Sequence, residues 1–254
     1  MGTPLAVRPM TDLRRRRARI LTARYRDVLL ADLGTLALLI GQAPFIGWLC
    51  SVVWGSVETD TPSLYFVMSL AAVWLGCIAA CREVVKEREI IERERLFGVG
   101  GPEIVFSKVA VLAGLVLAQV VLLQGAVEWH LALRGPLLVQ TAALWLAGMC
   151  GVGLGLVVSS IARSQERAVG AVPLLLLPQI LFSEFAIPRR AFGTVVDTVE
   201  EIMPVRWCYR VFSDLAAAEP SWLGAGAGLA VMALMATLLA VAAAAILNVR
   251  REMR

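Results

Sequence analysis

The stretch REVVKEREIIERERLFGVGG, residues 82–101, decides how the chain is organised. Its first fourteen residues carry five acidic and five basic side chains. An apolar segment runs up to this stretch, and another apolar segment begins soon after it. Because segments this apolar are typical of membrane spans, the charged stretch is predicted to be a connector that lies outside the membrane.

The rest of the chain has the composition of a membrane protein. Of its 254 residues, 59% are hydrophobic and 17% are charged, and the apolar residues cluster in long runs. A spanning helix needs roughly 20 residues. The runs predict an all-α membrane protein with six transmembrane helices, over residues 35–57, 62–81, 105–127, 136–160, 168–187 and 221–247. The fifth span contains Pro173 and Pro178 and is predicted to be kinked.

The basic residues predict the orientation of the chain in the membrane. If the N-terminus is inside, 19 of the 24 lysines and arginines fall in cytoplasmic segments. The positive-inside rule therefore places both termini in the cytoplasm. The net charge of +4 does not require a nucleic-acid partner, because the excess of basic residues lies at the inner membrane face, where anionic lipids attract it. Membrane lipids are thus expected partners, and a nucleic acid is not.

Residues 1–34 are predicted to form a cytoplasmic tail and an interfacial helix, and residues 35–254 the six-helix transmembrane domain. The interfacial helix is indicated by Ile20, Leu21, Tyr25, Val28 and Leu29, which fall on one helical face among arginines. A helix of this kind lies along the inner membrane surface before the chain turns into the first span.

The outer connection before the last span, residues 184–219, is long and partly apolar. Apolar side chains recur at helical spacing from Phe192 to Met203, and Pro204 ends the pattern. This pattern predicts an outer re-entrant helical element, which dips into the membrane or packs over the spans.

Some small and sulfur-containing residues could join helices or chains. Gly151 and Gly155 in the fourth span have GxxxG spacing, for which we favour packing inside the chain over a dimer seam. Four of the five cysteines lie within spans. Cys208 lies in the outer connection and is the one that could pair across a dimer.

The sequence offers little for catalysis. It has no GxxxxGK[ST] nucleotide-binding motif, and its single histidine, His130, lies in a short outer connection. The run EEIMPVR, residues 200–206, lacks the spacing and the partner histidines of CAAX-type intramembrane proteases. We therefore predict no catalytic residue, no metal site and no cofactor held by the chain itself.

The charged stretch is electrically neutral, so it is not mainly a lipid-binding patch. Its apolar residues do not stay on one helical face, and GVGGP at residues 98–102 stops the element. The predicted shape is an extension of the second span, a bend, a short charged helix and a glycine turn.

This arrangement resembles the permease domain of type-2 ABC exporters, particularly the G-subfamily and its bacterial relatives. The likeness runs through CREVVKEREIIERERLFGVGGPEIVFSK (81–108), VPLLLLPQILFSEFAIP (172–188) and MPVRWCYRVF (203–212). The basic helix at residues 14–32 is similar to the elbow helix of that family. The resemblance implies an integral protein of a bacterial inner (plasma) membrane.

The resemblance implies that the charged helix is a coupling helix, seated in a cleft of an ATPase subunit, and that the loop after the fourth span makes a second contact. The residues implied for ATPase coupling are Glu87, Glu89, Glu92, Arg93, Glu94, Arg95, Arg163 and Arg167. ATP and Mg²⁺ would be bound by that ABC ATPase, which is a separate polypeptide or was removed from this chain. A second permease protomer would complete a homodimer or a heterodimer.

In such a dimer the second and fifth spans are implied to line a central cavity. The residues expected to line it are Ser69, Val73, Cys77, Leu174, Leu177, Gln179 and Ile180. The residues expected at an outer gate are Glu184, Phe185 and Phe192.

These features predict the permease subunit of an ATP-driven exporter, which moves a lipid, a glycan or an amphipathic small molecule and performs no covalent chemistry itself. A second class stays open, a non-transporting scaffold or regulatory subunit that docks a cytoplasmic partner through the charged helix. An intramembrane enzyme is the third.

Overall fold

The computed structural model describes residues 10–56, 62–183, 185 and 194–252. Over these ranges the chain forms ten helices and no strand, which confirms the all-α prediction. In chain order they are α1 (Met10–Ala31), α2 (Leu33–Trp54), α3 (Pro62–Ala80), α4 (Arg88–Leu96), α5 (Gly101–Glu128), α6 (Leu137–Ile161), α7 (Gln165–Leu181), α8 (Thr194–Glu201), α9 (Pro204–Ala216) and α10 (Trp222–Glu252).

Five of the described helices are long and apolar enough to cross a membrane, namely α2, α3, α5, α6 and the Trp222–Val249 part of α10. The chain is therefore an integral membrane protein. The predicted fifth span corresponds to α7, which has 17 residues, begins with Glu166 in its first turn and contains Pro173 and Pro178. Since roughly 20 residues are needed to cross the bilayer, the described part of the chain supplies five spans.

The centre of the fold is the close packing of α3 on α6, which depends on glycines from both helices. A Cβ at Gly76 would meet the backbone oxygen of Gly148, and a Cβ at Gly151 would meet that of Val73. Gly155 approaches the backbone of the same helix one turn further on. Small residues of this kind let membrane helices approach closely. The prediction that the α6 glycines pack inside the chain is thus supported by their positions.

Helix α1 packs along α5 through one row of side chains, Leu21, Tyr25 and Leu29, all of which are buried. The sequence placed Ile20 and Val28 on the same face, but both are exposed, because the buried row follows the narrower i, i+4 spacing. The chain then breaks at Asp32, whose carboxylate accepts a hydrogen bond from the Thr35 backbone N–H at 3.2 Å and so caps α2.

The outer connection contains two helices, and Pro204 separates them. Helix α8 ends at Glu201, and α9 begins at Pro204, where a proline fits because it has no backbone N–H to leave unpaired. The proline therefore opens a helix as well as ending one. Helix α9 packs on α3, α6 and α10 and buries Cys208 completely. All five cysteines are free and buried, so a bond from Cys208 to a second chain would require α9 to move.

Candidate functional site

The charged stretch folds as a short helix between a series of turns and a glycine turn. After α3 the chain makes a series of turns over residues 81–87, then forms α4, and then reverses at Gly98, whose φ is +78°. A left-handed residue at this position favours glycine. Arg17 of α1 donates a hydrogen bond to the Gly98 carbonyl oxygen at 2.9 Å, so α1 holds the turn from the other side. The predicted bend, short helix and glycine turn all occur.

One side of this region is tied to the rest of the chain by ion pairs. Arg24 of α1 pairs with Glu94 of α4 and lies 3.7 Å from Glu87, just before α4. Glu87 also accepts a hydrogen bond at 3.0 Å from Lys108 of α5. Arg95 donates to the Leu247 carbonyl oxygen of α10 at 2.6 Å. Three of the residues predicted to couple to an ATPase, Glu87, Glu94 and Arg95, are thus engaged inside the chain.

Lys108 is the buried centre of this cluster. Its side chain is almost fully enclosed, and its Nζ lies 4.2 Å from the centre of the Tyr25 ring. Glu83 is buried nearby and adds a second negative charge. Burial, and then the charges of Glu83 and Glu87, raise the pKa of Tyr25, so this hydroxyl stays protonated. One signal in the sequence could have indicated this cluster, namely a single lysine within a predicted span.

The other side of α4 is open. Glu89, Glu92 and Arg93 are exposed. Next to them, Leu96 and Phe97 expose 86% and 80% of their surface. Large apolar side chains this exposed, beside charges and outside a span, are typical of a surface that contacts another protein or the membrane. We call Glu89, Glu92, Arg93, Leu96 and Phe97 the outer face of α4.

The loop after α6 lies next to this region. Arg163 and Arg167 are both exposed, and Ser164 between them caps α7. Arg88, the first residue of α4, donates to the Ala162 carbonyl oxygen at 2.5 Å. The Ser159 hydroxyl accepts hydrogen bonds from the two backbone N–H groups that precede Lys86, each at 3.0 Å. The two predicted ATPase contacts are therefore held together on one side of the molecule.

The residues predicted to line a cavity divide by helix. Ser69, Val73 and Cys77 of α3 are fully buried within the chain, so they have no surface to offer a cavity between two chains. The backbone at Val73 and Cys77 faces glycines of α6. Next to them on α3, Trp74 is 38% exposed. The periodicity of a helix that is apolar all round does not tell its buried face from its lipid-facing one.

On α7, three of the four predicted cavity residues reach the surface. Leu174 is 68% exposed, and Leu177 and Ile180 are exposed to a lesser extent on the same side of the helix. Gln179 differs, because it is buried and faces α3 and α9. An exposed α7 face is compatible with a cavity or with lipid.

Of the predicted gate residues, the structure describes Phe185. Its ring centre lies 4.7 Å from that of Phe66 on α3 and 5.4 Å from that of Tyr209 on α9, so it contacts both helices. Glu184 and Phe192 lie outside the described residues. Within the described ranges, no group of three or more His, Cys, Asp or Glu side chains is placed to hold a metal ion.

Comparison with known proteins identifies the family of the chain. The chain is 25% identical over 162 residues to the ABC transporter ATP-binding/permease protein Rv1747 of Mycobacterium tuberculosis, a match that covers 60% of this chain and 18% of that protein. The chain thus spans less than a fifth of the length of this curated relative. The family model of the ABC-2 type transporters matches residues 17–216, a range that runs from α1 to the end of α9. The chain belongs to the ABC-2 type transporter family.

Proposed function

We propose that the chain is the membrane-spanning permease subunit of an ABC exporter. Two protomers, identical or different, would form the pathway for a lipid, a glycan or an amphipathic small molecule. ABC ATPase subunits on the cytoplasmic side would bind ATP and Mg²⁺ and supply the energy. In this proposal α1 is the elbow helix, α4 the coupling helix, α7 a sixth span and the α8–α9 pair the re-entrant element, with both termini in the cytoplasm of a bacterial inner membrane.

The observation that carries the proposal is the division of α4 into two sides. Its inner side is fixed to α1, α5 and α10 through Arg24, Lys108 and the Leu247 carbonyl. A helix fixed in this way transmits a push on its other side to the spans, because packed elements shift as units. The outer face presents charges for orientation and two large apolar side chains for affinity.

The expected contribution of the outer face to ATPase binding can be estimated from its two apolar side chains. Burying a phenylalanine or leucine that was fully exposed contributes about 2 kcal/mol. Since each 1.4 kcal/mol changes a dissociation constant tenfold, loss of Phe97 alone should weaken binding of an ATPase at least about tenfold. Glu89 and Arg93 are expected to add mainly orientation and association rate.

The proposal is tested by reconstituting the chain with a candidate ABC ATPase. The triple variant Glu89→Ala, Arg93→Ala, Phe97→Ala should fold normally yet lose ATPase binding and transport. Trp129→Ala is the matched control, because Trp129 is 84% exposed and lies at the end of α5 that is away from α4, and it should behave as wild type. Normal ATPase binding and transport by the triple variant would contradict the assignment of α4.

A second experiment distinguishes a permease subunit from a scaffold subunit. The native cysteines are all buried, so a cysteine introduced by Leu174→Cys can be labelled selectively. A bulky label there should stop transport by a permease while leaving ATPase binding unchanged. A scaffold subunit would tolerate the label in both measurements.

A further inference from the structure

The C-terminal end of α10 makes a separate contact with the beginning of α5. Residues 233–242, in the middle of α10, are exposed or half-buried, whereas Ala243, Ala244 and Leu247 further along the helix are buried. At this end α10 meets Gly101, the first residue of α5, which follows the glycine turn of the charged stretch. The end of α10 is therefore held by a contact of its own, apart from the packing nearer the start of the helix.

Asn248 supplies a hydrogen-bond acceptor that the start of α5 lacks. The first N–H groups of a helix have no partner within it, and the side chain just before the helix commonly accepts from one of them. In α5 that position is Gly100, which has no side chain and caps nothing. Instead, the Gly101 backbone N–H donates to Asn248 Oδ1 at 3.0 Å. A residue 147 positions later in the sequence thus caps α5, and the cap joins two spans.

This close approach requires a glycine at position 101. A Cβ on Gly101 would lie 2.6 Å from the Ala244 carbonyl oxygen and 2.7 Å from Asn248 Oδ1, which leaves no room for a side chain. The requirement comes from space and not from backbone conformation, because Gly101 does not have a positive φ. Both the cap and the glycine therefore depend on α10 lying directly against the start of α5.

The same turn of α10 also contacts α4. Arg95 near the end of α4 donates to the carbonyl oxygen of Leu247, the residue before Asn248. Leu247 thus accepts through its main chain from α4, and Asn248 accepts through its side chain from α5. The connection between α4 and α5, residues 97–100, is fixed at both of its ends by two adjacent residues of the last span.

We propose that Asn248 is a positioning residue that makes the C-terminal end of α10 move as one unit with the connection between α4 and α5. Its hydrogen bond with Gly101 is the part of this tie that depends on a side chain of α10. The tie itself is a property of the chain alone. That α10 thereby follows α4 when an ATPase moves it rests on the proposed function.

The test measures amide hydrogen exchange by mass spectrometry on the full chain in nanodiscs, in residues 95–104 and in residues 243–249. Asn248→Leu keeps the branched shape of the side chain and removes the acceptor. Exchange should become about fivefold faster in both segments, the change expected when a cooperative unit loses one net hydrogen bond. If Asn248 were only a cap on α5, the first segment alone would change. Asn248→Asp keeps an acceptor and should exchange as wild type.

Gly101→Ala should reproduce the faster exchange in both segments, because its Cβ would push the end of α10 away. Thr237→Val is the matched control. Thr237 is exposed on the same helix, and its hydroxyl donates to the Ala233 carbonyl oxygen of α10 itself at 2.8 Å. This variant also loses one polar group of α10, but it should exchange as wild type.

Three results would each overturn the proposal: unchanged exchange of residues 243–249 in Asn248→Leu, failure of Asn248→Asp to restore protection, or an equal loss of protection in Thr237→Val. If Gly101→Ala fails to fold, the Asn248 variants still decide, because Asn248 is exposed and its replacement leaves the packing of α10 in place.

A second measurement adds a candidate ABC ATPase. In wild type, its binding to the outer face of α4 should slow exchange in both segments, whereas in Asn248→Leu it should slow exchange in residues 95–104 alone. Equal slowing of residues 243–249 in both proteins would overturn the link from α4 to α10. If no candidate ATPase changes exchange in wild type while the first comparison gives the expected result, the proposed function fails and the tie between α5 and α10 stands.

Discussion

Removing the positive charge of Lys108 should destabilise the chain strongly, because its partners cannot regain water. Lys108 is 1% exposed, and its Nζ lies 3.0 Å from Glu87 Oε2. Replacing it with methionine keeps most of the side-chain volume and leaves Glu87 and Glu83 as buried acids. Breaking a buried pair in this way costs about 3–5 kcal/mol. Arg24 still reaches Glu87 at 3.7 Å from a half-exposed position, so we expect the lower end, about 3 kcal/mol.

A double-mutant cycle distinguishes the loss of the Lys108–Glu87 ion pair from a loss of packing. Glu87→Gln alone leaves Lys108 buried without its closest partner and should also cost about 3 kcal/mol. If the two residues act as a pair, the double variant should cost about 3 kcal/mol in total, since the second change removes a partner already lost. The coupling energy would then be about 3 kcal/mol.

The free energy of unfolding can be measured by titrating the purified chain in mild detergent with sodium dodecyl sulfate and following helicity by circular dichroism. The control cycle uses Arg26 and Asp27, which pair at 3.0 Å with side chains 61% and 65% exposed. An exposed pair of this kind should show no measurable coupling. The reasoning is refuted if the Lys108 and Glu87 variants are additive, or if the control cycle couples equally strongly.

Two further predictions concern the backbone. Gly151→Ala should destabilise the α3–α6 contact by about 1–3 kcal/mol, because the new Cβ would lie 2.2 Å from the Val73 carbonyl oxygen, whereas Gly226→Ala, with no atom within 4 Å, should be neutral in the same unfolding titration. Hydrogen bonds from Thr35 hold the pKa of Asp32 below its ordinary value of 3.8, so the stabilisation from this cap should be present above pH 3.8 and lost as the pH falls below it. Asp32→Asn, which caps without titrating, should lack this loss when unfolding is followed from pH 6 to pH 3.

Much of the fold could be predicted from the sequence because hydrophobic length is a strong signal. Five of the six predicted spans correspond to helices long enough to cross the membrane. The exception, α7, is interrupted by Pro173 and Pro178, and its start is charged. Composition does not decide whether such a helix crosses completely. The apolar pattern was taken to end at Pro204, whereas α9 begins there, because a proline marks a helix start as readily as an end.

The faces of the helices were harder to predict, and α3 shows why. Nearly every side chain of α3 is apolar or small, so its sequence has no polar stripe to mark the surface. Ser69 was expected to line a cavity because it shares one helical face with Val73 and Cys77, but it is buried and its hydroxyl donates to the Tyr65 carbonyl oxygen of its own helix at 2.7 Å. Helices in membranes commonly satisfy serine in this way, so a polar residue within a span is a weak guide to a cavity.

The two sides of the charged helix α4 were equally hard to tell apart from the sequence. Counting charges predicts that α4 is not mainly a lipid-binding patch, but it could not tell Glu94, which pairs with Arg24, from Glu89, which is exposed. The partners of Glu94 and Glu87 come from α1 and α5, at sequence separations that no local pattern encodes. A variant that combines Glu89 with Glu94 would therefore weaken docking and loosen α4 together. Only substitutions confined to the outer face separate the binding of an ATPase from the rigidity that transmits its motion.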